Sequence, residues 1–459
     1  MVYSTAFAIK SPRRAAFIME DSSNLREKAR EVASVLERAG HRALFAGGCV
    51  RDALRGVPPK DYDIATSATP EVVQTLFPKT IAVGAAFGVI VVLHEGDPFE
   101  VATFRSDGAY VDGRRPESVH FGSEEEDAER RDFTMNGLFM EPETGEIIDH
   151  VGGIEDLEAG RIRTIGSAAD RFGEDRLRML RAVRFHANLG FEIESDTLDA
   201  IRELAPTIRS VAAERVRDEI LSILTGPAPH TGLECLRETG LLEQILPELL
   251  PMKGTEQPAE FHPEGDVWTH TLLMLEQLDR RSGVLALGVL LHDVGKPSTM
   301  THEPGDRIRF NGHDRVGAKM AVEICDRLRM SRDEAQRVER LVAEHMHFMN
   351  VTQMKKSSLR RFLAKDHFDD HLELHRVDCL SSHRKLDNYD FCREKLAELG
   401  EEPALPPPLI GGDDLIAMGR KPGPEFSRIL GEVQDAQLEG TIQTRQEALD
   451  WVRRSLEKD

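Results

Sequence analysis

Residues 46–63, AGGCVRDALRGVPPKDYD, decide how the amino-terminal part of this chain folds. Apolar residues 43–46 predict a strand, Gly47 and Gly48 a turn, residues 50–54 a short helix, and Tyr62 with Ile64 a second strand. The glycines leave backbone N–H groups free to approach an anion, and the helix that follows presents its positive end to the same place. On a strand, residues two apart share a face, so Asp61 and Asp63 can jointly hold divalent cations. Each half alone is ordinary, since most Gly-Gly pairs are plain turns and Asp-x-Asp is common on solvated edges. Glu100, flanked by Phe99 and Val101 on a later strand, supplies a third carboxylate. Three carboxylates holding two cations can activate a 3′-hydroxyl and stabilise charge on an α-phosphate and a leaving pyrophosphate.

Outward from this stretch, Val32, Val35 and Leu36 recur at helical intervals in residues 22–39, and Gly40 ends that helix. A helix at 70–77 and strands at 88–93 and 99–104 follow without a regular βαβ rhythm. The expected fold class is therefore α+β, an amino-terminal head with a small mixed or antiparallel sheet followed by all-α segments. Residues 107–129, rich in Gly, Asp, Glu and Arg, read as a mobile loop. From about residue 154 the pattern is helical, with Leu177, Leu180, Ala182, Val183 and Phe185 on one buried face, until PALPPP (403–408) interrupts it as a linker. The expected divisions are a leader (1–21), a head (22–150), a helical neck (151–225), a helical body (226–400) and a helical tail (401–459).

At 459 residues, 40% hydrophobic and 30% charged, the chain is expected to form several globular domains. Its longest uncharged apolar run, 284–291, falls far short of the ~20 residues that span a bilayer, so no membrane partner is expected. The first twenty residues lack the sustained apolar core of a secretory signal. Five scattered cysteines with no Cys-x-x-Cys pair point to a reduced, cytoplasmic protein. A net charge of −21 excludes polyanion binding over the whole surface. A nucleic-acid site must be a local basic stripe, for which Arg176, Arg178, Arg181 and Arg184, or Lys355, Lys356, Arg360 and Arg361, are candidates. The second group reads equally as a solvated helix face.

The segments GGCVRD (47–52), DYD (61–63), EVATFR (100–105), RRDFTMNG (130–137) and GEDRLRMLRAVRF (173–185) together resemble the bacterial class II tRNA nucleotidyltransferases, the family of CCA-adding enzymes and poly(A) polymerases. The resemblance covers roughly residues 22–225. It implies catalysis by Asp61, Asp63 and Glu100 with Mg2+, and a nucleotide site of Gly47, Gly48, Arg51, Arg131, Asp132, Asn136, Asp175, Arg178, Arg181 and Arg184. Arg131, Asp132 and Asn136 would hold ribose and triphosphate, chemistry that suits a guanidinium, a carboxylate and an amide. Asp132 also reads as a helix cap. Asp175 and Arg178 would select the base; on one helix they also read as an ordinary ion pair. Asp149, Gly152, Gly153, Asp156 and Leu157 resemble the family's flexible head–neck linker, and Glu214-Arg215 its later neck motif. Arg105, Asp107, Tyr110, Asp112 and Arg114 match the flexible loop of members that add the terminal A.

VLLHDVGKP (289–297) resembles the HD superfamily of metal-dependent phosphohydrolases. That resemblance maps metal ligands onto His270, His292, Asp293 and Asp378, with His313 and His345 as the extra histidines of two-metal members. Asp314 forms a second His-Asp pair with His313. Imidazole with carboxylate suits Mn, Ni, Co, Fe or Zn and leaves positions for water and a phosphoester. Lys296 can neutralise phosphate, and Arg420-Lys421 in the tail can touch an RNA backbone.

The expected activity is addition or repair of the 3′-terminal CCA of tRNA from CTP and ATP, with a phosphohydrolase activity in the body. Poly(A) or A-only addition is the nearest rival. GAAFGVIVV (84–92) lacks the basic G-[RK]-[RK]-F element of the polymerase branch, which favours CCA addition. A phosphohydrolase with a merely RNA-binding head is the rival from another class.

Overall fold

The computed structural model describes residues 12–82, 84–108, 118–303, 306–400 and 405–456. The chain divides into two compact units, one ending at Pro247 and the other beginning at Glu248.

The first unit holds nine head strands: β1 (Ala43–Ala46), β2 (Asp63–Thr66), β3 (Thr80–Ile81), β4 (Val89–His94), β5 (Asp97–Thr103), β6 (Arg105–Asp107), β7 (Val119–Phe121), β8 (Leu138–Met140) and β9 (Ile147–Asp149). Seven form one sheet in the order β3-β4-β5-β2-β1-β8-β9. Neighbours in it are antiparallel except β2 and β5, which run parallel with Ile64 opposite Val101. The α+β expectation thus holds, with a larger sheet than expected.

Alternation along the strands makes two apolar faces. Phe45, Ile64, Ile90 and Val101 pack with Ala29, Val32, Ala33 and Leu36 of the first helix. Leu44, Ala46 and Ala65 join Phe104, Ala128 and Phe139 on the other face. The first helix is Pro12–Arg38 and so takes in residues expected to be a loose leader.

Within the segment expected to be a mobile loop, the described residues 118–129 are ordered, because β6 and β7 pair and a capping box at Ser123 starts the helix Glu124–Glu129. Tyr110, Asp112 and Arg114 lie outside the described residues. The expected flexible linker is a braced turn: Asp149 accepts backbone N–H bonds from Val151, Gly153 and Ile154. Helical structure then dominates, apart from the short parallel pair Arg161–Ile162 and Glu192–Ile193.

In the second unit, helices Val267–Glu276, Gly283–Leu291, His313–Arg327, Arg332–Glu344 and Phe368–Ser381 pack around residues such as Trp268, Leu287, Ile324, Val338 and Leu374. The apolar run 284–291 is the buried helix at its centre. No helix among the described residues is long and apolar enough to cross a membrane. Ile410, Leu415, Ile429, Val433 and Val452 make a further core for the last helices. There Arg361 of the second basic cluster is engaged by Asp435 and Gln434, and the Ser357 N–H by Glu439. Part of that cluster therefore serves helix packing.

Candidate active sites

Asp63 begins β2, and Asp61 lies just before the strand rather than on it. Asp63 alternates with Ile64 and Glu100 with Val101, so both carboxylates leave the sheet on the face opposite the first helix. The parallel register, with Ile64 opposite Val101, sets them opposite each other one residue earlier. Burial, then the Asp61 and Glu100 carboxylates, push the Asp63 carboxyl up to about 6, with Arg131 opposing. Carboxylates gathered against mutual repulsion are a donor set suited to hard divalent cations.

Gly47 has φ 72°, and a Cβ there would stand 2.9 Å from Arg131 Nη1, so only glycine fits. Arg131 is fixed by Asp127, whose Oδ2 accepts from Nη2 at 3.0 Å, and its guanidinium lies 5.0 Å from the Phe139 ring centroid. Asp127 is 1% exposed in its side chain and was missed by sequence reasoning. The 127/130/131 spacing signals it, but the acidic run 124–127 disguises it as loop.

A continuous polar chain follows. Arg51 Nη1 donates to Asn136 Oδ1 at 2.8 Å, Asn136 Nδ2 donates to Asp132 Oδ1 at 3.0 Å, and Arg181 donates to Asp132 Oδ2. Asp132 also accepts from the Phe133 N–H but makes no side-chain cap for the short helix after it, which corrects the capping alternative. Burial disfavours charge on Asp132, yet Arg181 and Asn136 overturn this and hold its carboxyl at about 2. Arg51, Arg181 and Arg184 all lie against the Phe185 ring, within 5.4 Å of its centroid. Arg184 is further tied to Glu219 at 2.6 Å.

The sequence placed Asp175 and Arg178 on one helix as a pair, and the structure separates them. One helix ends at Glu174 and the next begins at Arg178, with Asp175 as the cap between. The Asp175 carboxyl accepts the Leu177 N–H and both terminal nitrogens of Arg215, at 3.1 and 2.7 Å. Arg178 donates to Glu174 and to the carbonyls of Arg171 and Arg130. Arg176 turns away to Ser210.

In the second unit the predicted ligands converge. His270 follows its helix start at Val267, His292-Asp293 closes the apolar helix, His313 opens one helix, His345 ends another, and Asp378 lies in Phe368–Ser381. His270 Nε2 is 3.2 Å from Asp378 Oδ1, and His292 Nε2 is 3.0 Å from Asp293 Oδ2. Asp293 Oδ1 faces His313 at 3.4 Å and His345 at 3.8 Å. The sets His270/His292/Asp293 and Asp293/His313/His345 each bring ligand atoms within 4.8 Å of one another, so Asp293 is common to both. Although these atoms are close, His292 Nε2 and both Asp293 oxygens are buried without a well-aligned hydrogen bond. Orphaned lone pairs in a ligand-like cluster are what a bound cation satisfies. Asp314 does not join these groups.

Burial works against charge throughout this cluster, and ion pairing overrides it at several positions. The close carboxylates of Asp378 and Glu264 raise His270 to about 9. Asp378 and Asp293 are held far below the usual carboxylate range by His270 and by His292 with Lys296. His345, buried beside His292, is lowered to about 4. Lys296 contacts Asp293 at 2.7 Å and donates to Gln257, which ties it to the cluster. A cavity of about 640 Å³ opens over the cluster, with Lys296, Arg307, Arg309, Lys385, Phe310 and Met349 in its wall. Sequence reasoning missed His262 and Glu264, which join His270 in a third group; H-P-E before a helix carries no spacing signal.

The profile of the poly A polymerase head domain matches residues 43–163, that of the probable RNA and SrmB-binding site of polymerase A matches 190–253, and that of the HD domain matches 266–378. A CCA-adding enzyme of Geobacillus thermodenitrificans is 53% identical over 207 residues, 45% of this chain and 51% of that enzyme. One from Bacillus cytotoxicus is 44% identical over 252 residues, 54% of this chain and 63% of that enzyme. The matched stretches thus span about half to two thirds of these curated relatives. The crystal structure of the Bacillus stearothermophilus CCA-adding enzyme in complex with CTP superposes with TM-score 0.73 and 29% identity, covering 94% of this chain and 98% of that one. The Thermotoga maritima CCA-adding enzyme complexed with tRNA, 18% identical, shares the fold with TM-score 0.56 over 97% and 96% of the two chains. With the head-domain, RNA-binding and HD profiles matched in that order along its length, the chain is similar to bacterial CCA-adding enzymes over these stretches.

Proposed function

We propose that the chain is a nucleotidyltransferase that adds or repairs the 3′-terminal CCA of tRNA from CTP and ATP. The observation that carries this reading is the gathering of Asp61, Asp63 and Glu100 beside Arg131 and the Gly47 turn. Bound Mg2+ would supply Lewis acidity at the attacking 3′-oxygen and the α-phosphate. Asp61 and Asp63 hold the cations and Glu100 assists. Arg131, steadied by Asp127, and Arg51, steadied by Asn136, pair with the triphosphate across the Gly47-Gly48 turn. Both Asp132 oxygens already accept hydrogen bonds, so Asp132 sets the orientation of Asn136 and Arg181 while Asn136 meets the ribose. Asp175 and Arg178 read the base edge, Asp175 under the grip of Arg215. Arg184, against Phe185, completes the basic lining.

The finer division into head, neck, body and tail follows the same assignment of roles. Five free, buried cysteines support a reducing compartment, and we place the protein in the cytoplasm. The test is a tRNA lacking its 3′ end, supplied with each nucleotide separately. CTP alone extends it by two residues and CTP with ATP by three; long tails from ATP alone would reject the reading.

A second activity is supported by the intact ligand set in the second unit. His270, His292, Asp293 and Asp378, with His313 and His345, would hold one or two transition-metal ions, Mn, Ni, Co, Fe or Zn. Such ions supply an activated water for phosphoester hydrolysis, and Lys296 with the basic cavity wall would receive the phosphate. Release of inorganic phosphate from nucleotide esters, lost in His292→Ala, tests this.

A further inference from the structure

Glu264 sits in the loop before the helix Val267–Glu276, two residues from Asp266, whose carboxylate caps that helix at the Thr269 N–H and also ties down the Gly254 N–H. One of its oxygens, Oε1, lies 2.6 Å from His270 Nδ1 and 2.9 Å from His262 Nδ1. We propose that Glu264 is the positioning residue of the second unit's metal centre, orienting His270 as a ligand and tying the cavity wall to it through His262. This rests on reading that cluster as a metal site.

An ionised carboxylate only accepts, so His262 donates to it from Nδ1, while His270 Nδ1 is held against the same oxygen as a close charge contact at 2.6 Å. That fixes the ring of His270, which is 0% exposed, with Nε2 turned toward Asp378 and the His292-Asp293 pair. The other candidate imidazoles are held differently. Nδ1 of His292, His313 and His345 each meets the backbone carbonyl three residues earlier, at 2.8, 2.8 and 2.7 Å. Among these four, His270 alone has a charged partner at Nδ1. A carboxylate makes an imidazole a more basic ligand than a carbonyl does, and such partners typically change metal affinity 10- to 100-fold. His262, in the cavity wall, uses the same oxygen, so the wall and the ligand are oriented by one group.

The test is Co2+ binding by the full chain, followed by calorimetry and by the visible absorption of the bound ion. All proteins carry Asp61→Asn and Asp63→Asn so that the head takes no cation. Glu264→Ala is expected to weaken binding about 10- to 100-fold and shift the absorption bands. Glu264→Gln keeps shape and acceptor but not charge, and is expected to lose less and to melt like the parent without metal. Affinity within twofold of the parent and unchanged bands in both variants would overturn the inference. Absence of Co2+ binding by the parent, matched by His292→Ala, would overturn the metal centre and the inference with it.

Discussion

The head and the second unit both assemble acidic side chains for cations, and they do so in opposite electrostatic styles. In the head, Asp61 and Glu100 are exposed, and burial followed by their charges pushes the Asp63 carboxyl up against the opposing Arg131. In the second unit's cluster Asp293 and Asp378 are matched by imidazole or ammonium and are pushed down. The head is thus a site waiting for positive charge, as expected where Mg2+ arrives with substrate phosphates. The second is a buried ligand cluster at the floor of a cavity, nearly self-neutral, suited to a resident ion. Open carboxylates imply a substrate-borne metal and matched ones a stored metal.

The comparison breaks most readily at the carboxylates themselves. Asp61→Ala or Asp63→Ala is expected to lower nucleotide incorporation at least ~10³-fold, about 4 kcal/mol of transition-state stabilisation, while Co2+ binding in the second unit persists. Single-turnover incorporation on truncated tRNA measures it. Conversely, Asp293→Ala is expected to abolish Co2+ binding and phosphoester hydrolysis, because both ligand sets share that residue, with incorporation within about twofold of the parent. Parallel losses in both assays would erase the distinction between the two sites.

Arg215→Ala sharpens the head side. It releases Asp175 from its bidentate partner and is expected to cost about 10- to 100-fold in kcat/KM for CTP and ATP, with more misincorporation of UTP and GTP.

The electrostatic contrast itself has a smaller signature, in stability. Asp63 has a folded pKa of about 6, above its ordinary value, so the metal-free fold favours its protonated form. The stability this gives is fully present below about pH 4 and is lost as pH rises through about 6. Asp63→Asn should therefore stabilise the metal-free protein by about 1–2 kcal/mol at pH 8 and by almost nothing near pH 4. Thermal melting with and without Mg2+ reads this directly. A destabilised Asp63→Asn at pH 8 would mean that the carboxylates are held for structure.

Much of this was legible in the residues. The Gly47-Gly48 turn and the Asp63 and Glu100 faces follow from turn chemistry and period-two alternation, which act locally, and the His270, His292, Asp293, Asp378 set from the resemblance of VLLHDVGKP to the HD superfamily. What escaped depends on tertiary partners. The helix break at Asp175 is set by Arg215, forty residues on, against a sequence whose periodicity reads straight through. Asp127 hides in an acidic run, and Glu264 in a loop with no period. Order in 118–129 comes from strand pairing and a capping box, which outweigh a loop-like composition.

The measurement that bears most directly on the central claim is sequencing of the 3′ ends made by purified protein from tRNA lacking its terminus, with all four nucleotides and Mg2+. The account predicts ends completed to CCA by the parent and unextended ends with Asp61→Ala, Asp63→Ala and Glu100→Ala. Homopolymeric A tails, or CCA completion that survives loss of those carboxylates, would contradict it.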